Sequence, residues 1–239
     1  MKAMILAAGK GERMLPLTLT TPKPLLRAGG MPLIVHHIHR LARAGVTEII
    51  INTAHLGQRI HAELGDGTAL GVRIRYSHEG STGLETAGGI RRAMPLLGPA
   101  PFLLVNADVW TDYAFEQLPT TLDGLAHLVL VPNPPHNPDG DFNLVDGYIT
   151  NTGNTMLTYA GIAVIHPRLL SGLPSGPMRL TPVLRKAAEA GLVSGEMHTG
   201  EWLDIGTPNR LRELDLRLAK AEAACLDSNS KNPQSFDWG

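Results

Sequence analysis

"MILAAGKGERMLPLTLTTPKPLL", residues 4–26, decides how the rest of the chain is read. A short apolar run, Met4 to Ala8, ends abruptly in a segment with two glycines, three cations and three prolines up to Pro24. That segment is too irregular for a helix and too specific for a linker. An apolar run of this length suits a strand buried on both faces, and it predicts a first strand over Ala3 to Ala7. A loop leaving the carboxyl end of such a strand stands where open α/β sheets bind ligands.

Further along, apolar runs rich in Ile, Val and Leu alternate with segments of helical period. That is the pattern of a largely parallel sheet with helices on both faces. "MPLIVHHIHRLARAG" places Pro32 at a helix start, Ile34, Ile38, Leu41 and Ala42 on one face, and Gly45 past its end. "VTEIIINT" is a second buried strand. A helix over His55 to Leu64, a turn at Gly65 to Gly67 and a strand over Val72 to Ser77 make the next unit. Thr86 is placed to cap a helix through "AGGIRRAM", and "PFLLVNAD" is a strand ending in Asp108. Beyond "VPNPPHNPDGD" the character changes. Short strands around Phe142 to Ile149 and Met156 to Ile165 suggest hairpins over the edge of the first half. Helices near Met178 to Ala190 and Pro208 to Ala224 complete the expected order. The reading is a single α/β domain over residues 1–225, its halves dividing near residue 110, with 226–239 as a loose polar tail.

The totals remove several function classes. A chain of 239 residues with 43% hydrophobic and 18% charged residues can bury one large core. Its 21 Lys and Arg against 22 Asp and Glu argue against a nucleic-acid binder, so phosphate chemistry would rest on a few placed cations. The single cysteine, Cys225, cannot pair internally and is expected to be an inert thiol in a reducing compartment. No run is long enough to cross a bilayer, and charges at Lys10, Glu12 and Arg13 interrupt any signal-peptide pattern. A soluble cytoplasmic protein is expected, its oligomeric state open. The histidines of "HHIH", His36, His37 and His39, point in different directions around a helix and lack a second ligand cluster, which argues against a metal site.

Gly9 and Gly11 let backbone amides approach an anion, while Arg13 and Lys23 supply charge that a phosphate chain can use. The segment is not a P-loop, since no G-x-x-x-x-G-K-[ST] occurs, and Met14 stands where a dinucleotide fingerprint needs its third glycine. "LAAGKGERMLPLT" followed by "PKPLL" resembles the signature of the sugar-1-phosphate nucleotidyltransferases. The likeness continues through "LETAGGI" (84–90), "LLVNADVW" (103–110), "TYAGIAVIHP" (158–167) and "WLDIGTP" (202–208). It covers nearly the whole chain except the tail.

The resemblance implies a Rossmann-like nucleotide-diphospho-sugar transferase fold with a small β-rich lobe on the sugar side. It also implies a reaction in which a sugar 1-phosphate oxygen attacks the α-phosphorus of a nucleoside triphosphate and pyrophosphate leaves. By the same resemblance Asp108 and Asp204 would hold Mg²⁺, Arg13 would contact the β- and γ-phosphates, and Lys23 would orient the attacking phosphate. Leu6, Ala7, Ala8, Gly9 and Gly11 would line the nucleotide. Glu85, where many relatives have glycine, could accept a base N–H or contact the nucleotide sugar. Gly140, Asp141 and Gly161 match segments on the sugar side, although a glycine there can also mark a bulge. Within the family, "ETAGGI", "NADVWTDYAF" and "GDFNLV" are most similar to members that join UTP to N-acetylmuramic acid 1-phosphate. That sugar carries a lactyl carboxylate, for which Arg179 is the candidate partner. Guanylyl transfer to mannose 1-phosphate, thymidylyl transfer to glucose 1-phosphate, and a non-catalytic nucleotide-sugar sensor stay open as alternatives.

Overall fold

The computed structural model describes residues 1–80 and 83–230. β1 (Lys2–Leu6) opens the chain, and the long loop after it carries short 3-10 turns and a small hairpin of β2 (Arg27–Ala28) and β3 (Met31–Pro32). Then follow α1 (Leu33–Arg43), β4 (Glu48–Thr53), α2 (Gly57–Leu64), β5 (Arg73–His78), α3 (Glu85–Leu97), β6 (Phe102–Asn106) and β7 (Val109–Thr111). The second half runs β8 (Ala126–Val131), β9 (Phe142–Val145), β10 (Tyr148–Thr150), β11 (Met156–Ile165), α4 (Leu180–Glu189), β12 (Val193–Met197), β13 (Trp202–Asp204) and α5 (Pro208–Ser230).

Nine strands form one sheet in the order β5-β4-β1-β6-β11-β8-β12-β10-β9. Strands β5, β4, β1 and β6 are parallel, as their helical crossovers require. Strand directions are more mixed than the apolar runs alone suggest. β11 runs antiparallel to both β6 and β8, and the tight turn at Asp146 and Gly147 makes β9 and β10 antiparallel neighbours. That hairpin extends the same sheet; it does not lie over the first half.

The sheet separates two apolar layers. On one side α1 and α2 bring Ile34, Ile38, Leu41, Ile60 and Leu64 against Ile5, Ile49, Ile51 and Val105. On the other, α3 and α4 bring Ala87, Ile90, Ala93, Leu180 and Leu184 against Met4, Ile50, Phe102 and Leu104. Alternate residues of β1 thus enter opposite layers, which is why the strand reads as an unbroken apolar run. Each fully buried Ile or Leu contributes about 1.5–3 kcal/mol. A third cluster, with Met14, Leu33, Trp110, Ile205 and Leu214, ties the loop after β1 to α5.

Two helix ends differ from expectation. Thr86 does not cap α3, which begins at Glu85. Its first amides are met by the Met178 carbonyl, 2.8 Å from Ala87 N and 3.3 Å from Gly88 N, while Met178 N donates to Leu84 O at 2.9 Å. The backbone of the irregular segment before α4 therefore does the work expected of the threonine hydroxyl. The final helix continues to Ser230, beyond the expected tail start at 226, because nothing before Lys231 breaks it. The expectations for residues 231–239 and for the Cys225 thiol lie outside the described residues.

Candidate active site

At the carboxyl ends of β1, β4 and β6 lies a cleft of about 690 Å³. Leu6, Ala7, Ala8, Gly9, Gly11, Arg13, Lys23, Glu85 and Asp108 line it, and so do Lys10, Asn52, Glu79, Asn106 and Gly206. The loop after β1 is held in place by its own residues. Gly11 has φ +66°, and a Cβ there would come 2.9 Å from Thr18 Cγ2 and 3.2 Å from Lys23 Cβ, so any other residue would be both strained and crowded. Thr18 Oγ1 donates to the Gly11 carbonyl at 2.8 Å.

Gly11 thus packs against the stem of Lys23, whose 3-10 turn follows Pro22. Lys23 is only 8% exposed, and its ammonium lies 2.6 Å from Oδ2 of Asp108, in the turn between β6 and β7. A nearly desolvated cation is thus held by a charge-assisted hydrogen bond against a half-open carboxylate on the cleft wall.

Asp204 comes alongside through the small sheet of β7 and β13. Asp204 pairs with Val109, and Ile205 N donates to Asp108 O at 2.8 Å, so the two aspartates stand one register step apart. The Asp204 carboxylate meets Arg210 Nη1 at 2.8 Å and His136 Nε2 at 3.1 Å. Arg210 sits in the first turn of α5, where Pro208 opens the helix and Thr207 Oγ1 accepts from Arg210 N at 3.4 Å. Below this, His37 in α1 binds the Val109 carbonyl at 2.7 Å. Burial pushes its imidazole down to about 4, the carbonyl and Asp108 opposing that shift. His36 likewise faces a carbonyl, that of Ala28, at 2.9 Å.

The sugar-side candidates lie elsewhere. Asp141 Oδ2 accepts from Tyr159 N at 2.9 Å and Asn137 Nδ2 at 3.2 Å, tying the 132–141 loop to β11. Gly140, with φ +67°, passes close to Met156 and Leu157. Gly161 lies in the bulge of β11 between Tyr159 and Ala163, and a Cβ there would strike Asn106 of the neighbouring β6, which lines the cleft. Arg179 is at the rim, its side chain 79% exposed and its Nε 4.0 Å from Glu85 Oε2. Sequence reasoning missed Asn52, Glu79, His136 and Arg210. Only Arg210 left a signal, a cation six residues after an aspartate at a helix start.

Residues 2–155 match the family model for nucleotidyl transferases. The chain is 55% identical over 223 residues to the N-acetylmuramate alpha-1-phosphate uridylyltransferase of Neisseria meningitidis serogroup B, covering 89% of this chain and 96% of that protein. The chain belongs to the nucleotidyl transferase family. This nucleotidyltransferase is also 32% identical over 235 residues to the N-acetylmuramate alpha-1-phosphate uridylyltransferase of Caulobacter vibrioides, covering 92% of this chain and 97% of that protein. A Bacillus anthracis crystal structure assigned to glucose-1-phosphate thymidylyltransferase, in complex with sucrose, superposes with a TM-score of 0.81 at 21% identity, covering 100% of this chain and 97% of that one. The nucleotidyltransferase therefore has the nucleotide-diphospho-sugar transferase fold, and its family is enzymatic.

Proposed function

We propose that the cleft transfers a uridylyl group from UTP to N-acetylmuramic acid 1-phosphate, giving UDP-N-acetylmuramic acid and pyrophosphate. The observation that carries the chemistry is the Lys23–Asp108 contact of 2.6 Å inside a cleft that also contains Arg13. The substrate pair rests on likeness to the Neisseria meningitidis relative. Uridylyl transfer for recycling cell-wall sugar, in the cytoplasm where UTP is made, is the setting that follows.

An oxygen of the sugar phosphate attacks the α-phosphorus of UTP, the bond to the bridging oxygen breaks, and pyrophosphate leaves with the electron pair. A phosphate monoester has a second pKa of about 6, so the nucleophile is already ionised and no general base is needed. The obstacle is repulsion between polyanions. Lys23 and Arg13 offset that charge, and the amides around Gly9 and Gly11 cradle phosphate oxygens. Asp108 and Asp204 would hold Mg²⁺ as hard oxygen donors, a reading supported by each keeping Oδ1 outside the contacts with Lys23, Arg210 and His136 among the described residues. Bound there, the ion would neutralise charge on the triphosphate. Arg210 and His136 hold the Asp204 carboxylate in one orientation.

Turnover by variants tests this assignment. Asp108→Asn should lower kcat by about 10²- to 10³-fold, the scale of losing one preorganised electrostatic contact. Arg179→Ala should narrow the preference for N-acetylmuramic acid 1-phosphate over N-acetylglucosamine 1-phosphate. Full activity in a folded Asp108→Asn protein, or an unchanged sugar preference in Arg179→Ala, would remove the respective role.

A further inference from the structure

Beneath the nucleotide cleft two strand ends are joined by a buried polar chain. Asn52, 3% exposed at the end of β4, accepts the Ala7 N–H on Oδ1 at 2.7 Å. Its Nδ2 donates to Glu79 Oε1 at 2.7 Å. Glu79, 6% exposed just past β5, accepts the Leu84 N–H on Oε2 at 2.7 Å. The amide's orientation is fixed, because a backbone N–H can only donate and a carboxylate can only accept. Gly89 in α3 leaves the room Glu79 needs, since a Cβ there would overlap its carboxylate.

The chain has two ends with the same function. Ala7 begins the glycine-rich loop, and Leu84 begins the segment leading into α3; both line the cleft, as do Asn52 and Glu79 themselves. No ion pair to Glu79 exists among the described residues, and Asn52 Nδ2 and Leu84 N are its donors. A buried carboxylate satisfied only by amides is expensive to keep unless the geometry it fixes is useful. We infer that Asn52 and Glu79 are positioning residues, a bracket that sets the spacing of the two loops between which the nucleotide binds. The inference rests on the proposed nucleotide site but adds residues to it that act through Ala7 and Leu84.

The bracket makes a prediction that a simple packing role does not. Asn52→Asp sets two carboxylates against each other, and Glu79→Gln sets an amide nitrogen against either Asn52 Nδ2 or the Leu84 N–H. The double variant Asn52→Asp/Glu79→Gln restores every bond with the charge moved one residue. The carboxylate now at position 52 would accept from Ala7 N and from the side-chain amide now at position 79, whose oxygen accepts from Leu84 N. Each single variant should weaken UTP affinity, read by calorimetry and as KM, by about tenfold or more, the scale of one unsatisfied buried hydrogen bond, with kcat changing less. The charge swap should return affinity to within about threefold of the unmodified protein.

A double variant that fails to fold, or that folds and binds UTP as poorly as either single one, overturns the bracket. In the second case the Glu79 charge itself would be what the nucleotide needs. If a single variant does not fold, the double variant still decides between these outcomes. Should the unmodified enzyme prefer another nucleoside triphosphate, the reading of the substrate fails, while the same cycle run with that triphosphate still tests the bracket.

Discussion

Glu85 has φ +58°, a left-handed backbone that a side chain other than glycine adopts only against steric cost. Its side chain is half exposed, faces the cleft, and among the described residues has only the loose contact with Arg179, which is too solvated to hold it there. Strain of this kind persists where the group it presents is useful. Glu85→Gly should therefore raise stability by about 0.5–1 kcal/mol once the glycine's greater unfolded-state freedom is subtracted. That corresponds to a rise of about 2 °C in Tm for a domain of this size, accompanied by a higher KM for UTP. A lower Tm would mean that the backbone there is not strained. At this scale the sequence shows some residues and hides others. Lys23 and Asp108 stand 85 positions apart and are legible only because each sits in a long motif. Asn52 and Glu79 end ordinary-looking strands, and nothing in "INTA" or "SHEG" distinguishes a bracket from a solvated strand end.

Among the elements, α1 supports β7, the strand that follows Asp108. Its His37 is buried, donates from Nε2 to Val109 O in β7, and has no partner for Nδ1 among the described residues, so the imidazole is neutral in the fold. The ring's folded value of about 4 is depressed from an ordinary 6.5, so the unfolded chain takes up this proton first as pH falls. Its contribution is fully present above 6.5 and is lost as pH drops from there to about 4, amounting to about 3 kcal/mol. His37→Gln keeps a donor for Val109 and removes the titration. Unfolding followed across that range should show a flatter pH dependence in the variant, whatever constant offset it carries. An identical slope would mean that His37 is not the group involved. The periodicity of α1 is enough to place its buried face, but not to say that "HHIH" spends two of its rings on carbonyls. The start of α3 escapes the sequence for a related reason: the partner of its first amides, Met178, lies far away in the chain and carries no side-chain signal.

The molecule as a whole is one sheet that changes direction between its halves. Its parallel part delivers the glycine-rich loop, Asn52 and Asp108 to one edge, which is the place where such sheets bind ligands. That much follows from alternating apolar runs and one loop. Its antiparallel part is less legible, because a buried run such as "MLTYAGIAVI" reads the same in either direction and its bulge at Gly161 shows only as a glycine. Asp204 reaches the site through the β7–β13 pair and is then held by Arg210 from the first turn of α5 and by His136 from a distant loop, and the His136 contact is one that no local pattern encodes. The central claim is that this assembly performs one specific transfer. It is tested most directly by pyrophosphate release from the purified protein with Mg²⁺, crossing UTP, dTTP and GTP with the 1-phosphates of N-acetylmuramic acid, N-acetylglucosamine, glucose and mannose. Release confined to UTP with N-acetylmuramic acid 1-phosphate, and lost in Asp108→Asn, is the predicted result. Preference for another pair would contradict the substrate assignment, and nucleotide binding without release from any pair would contradict the enzymatic one.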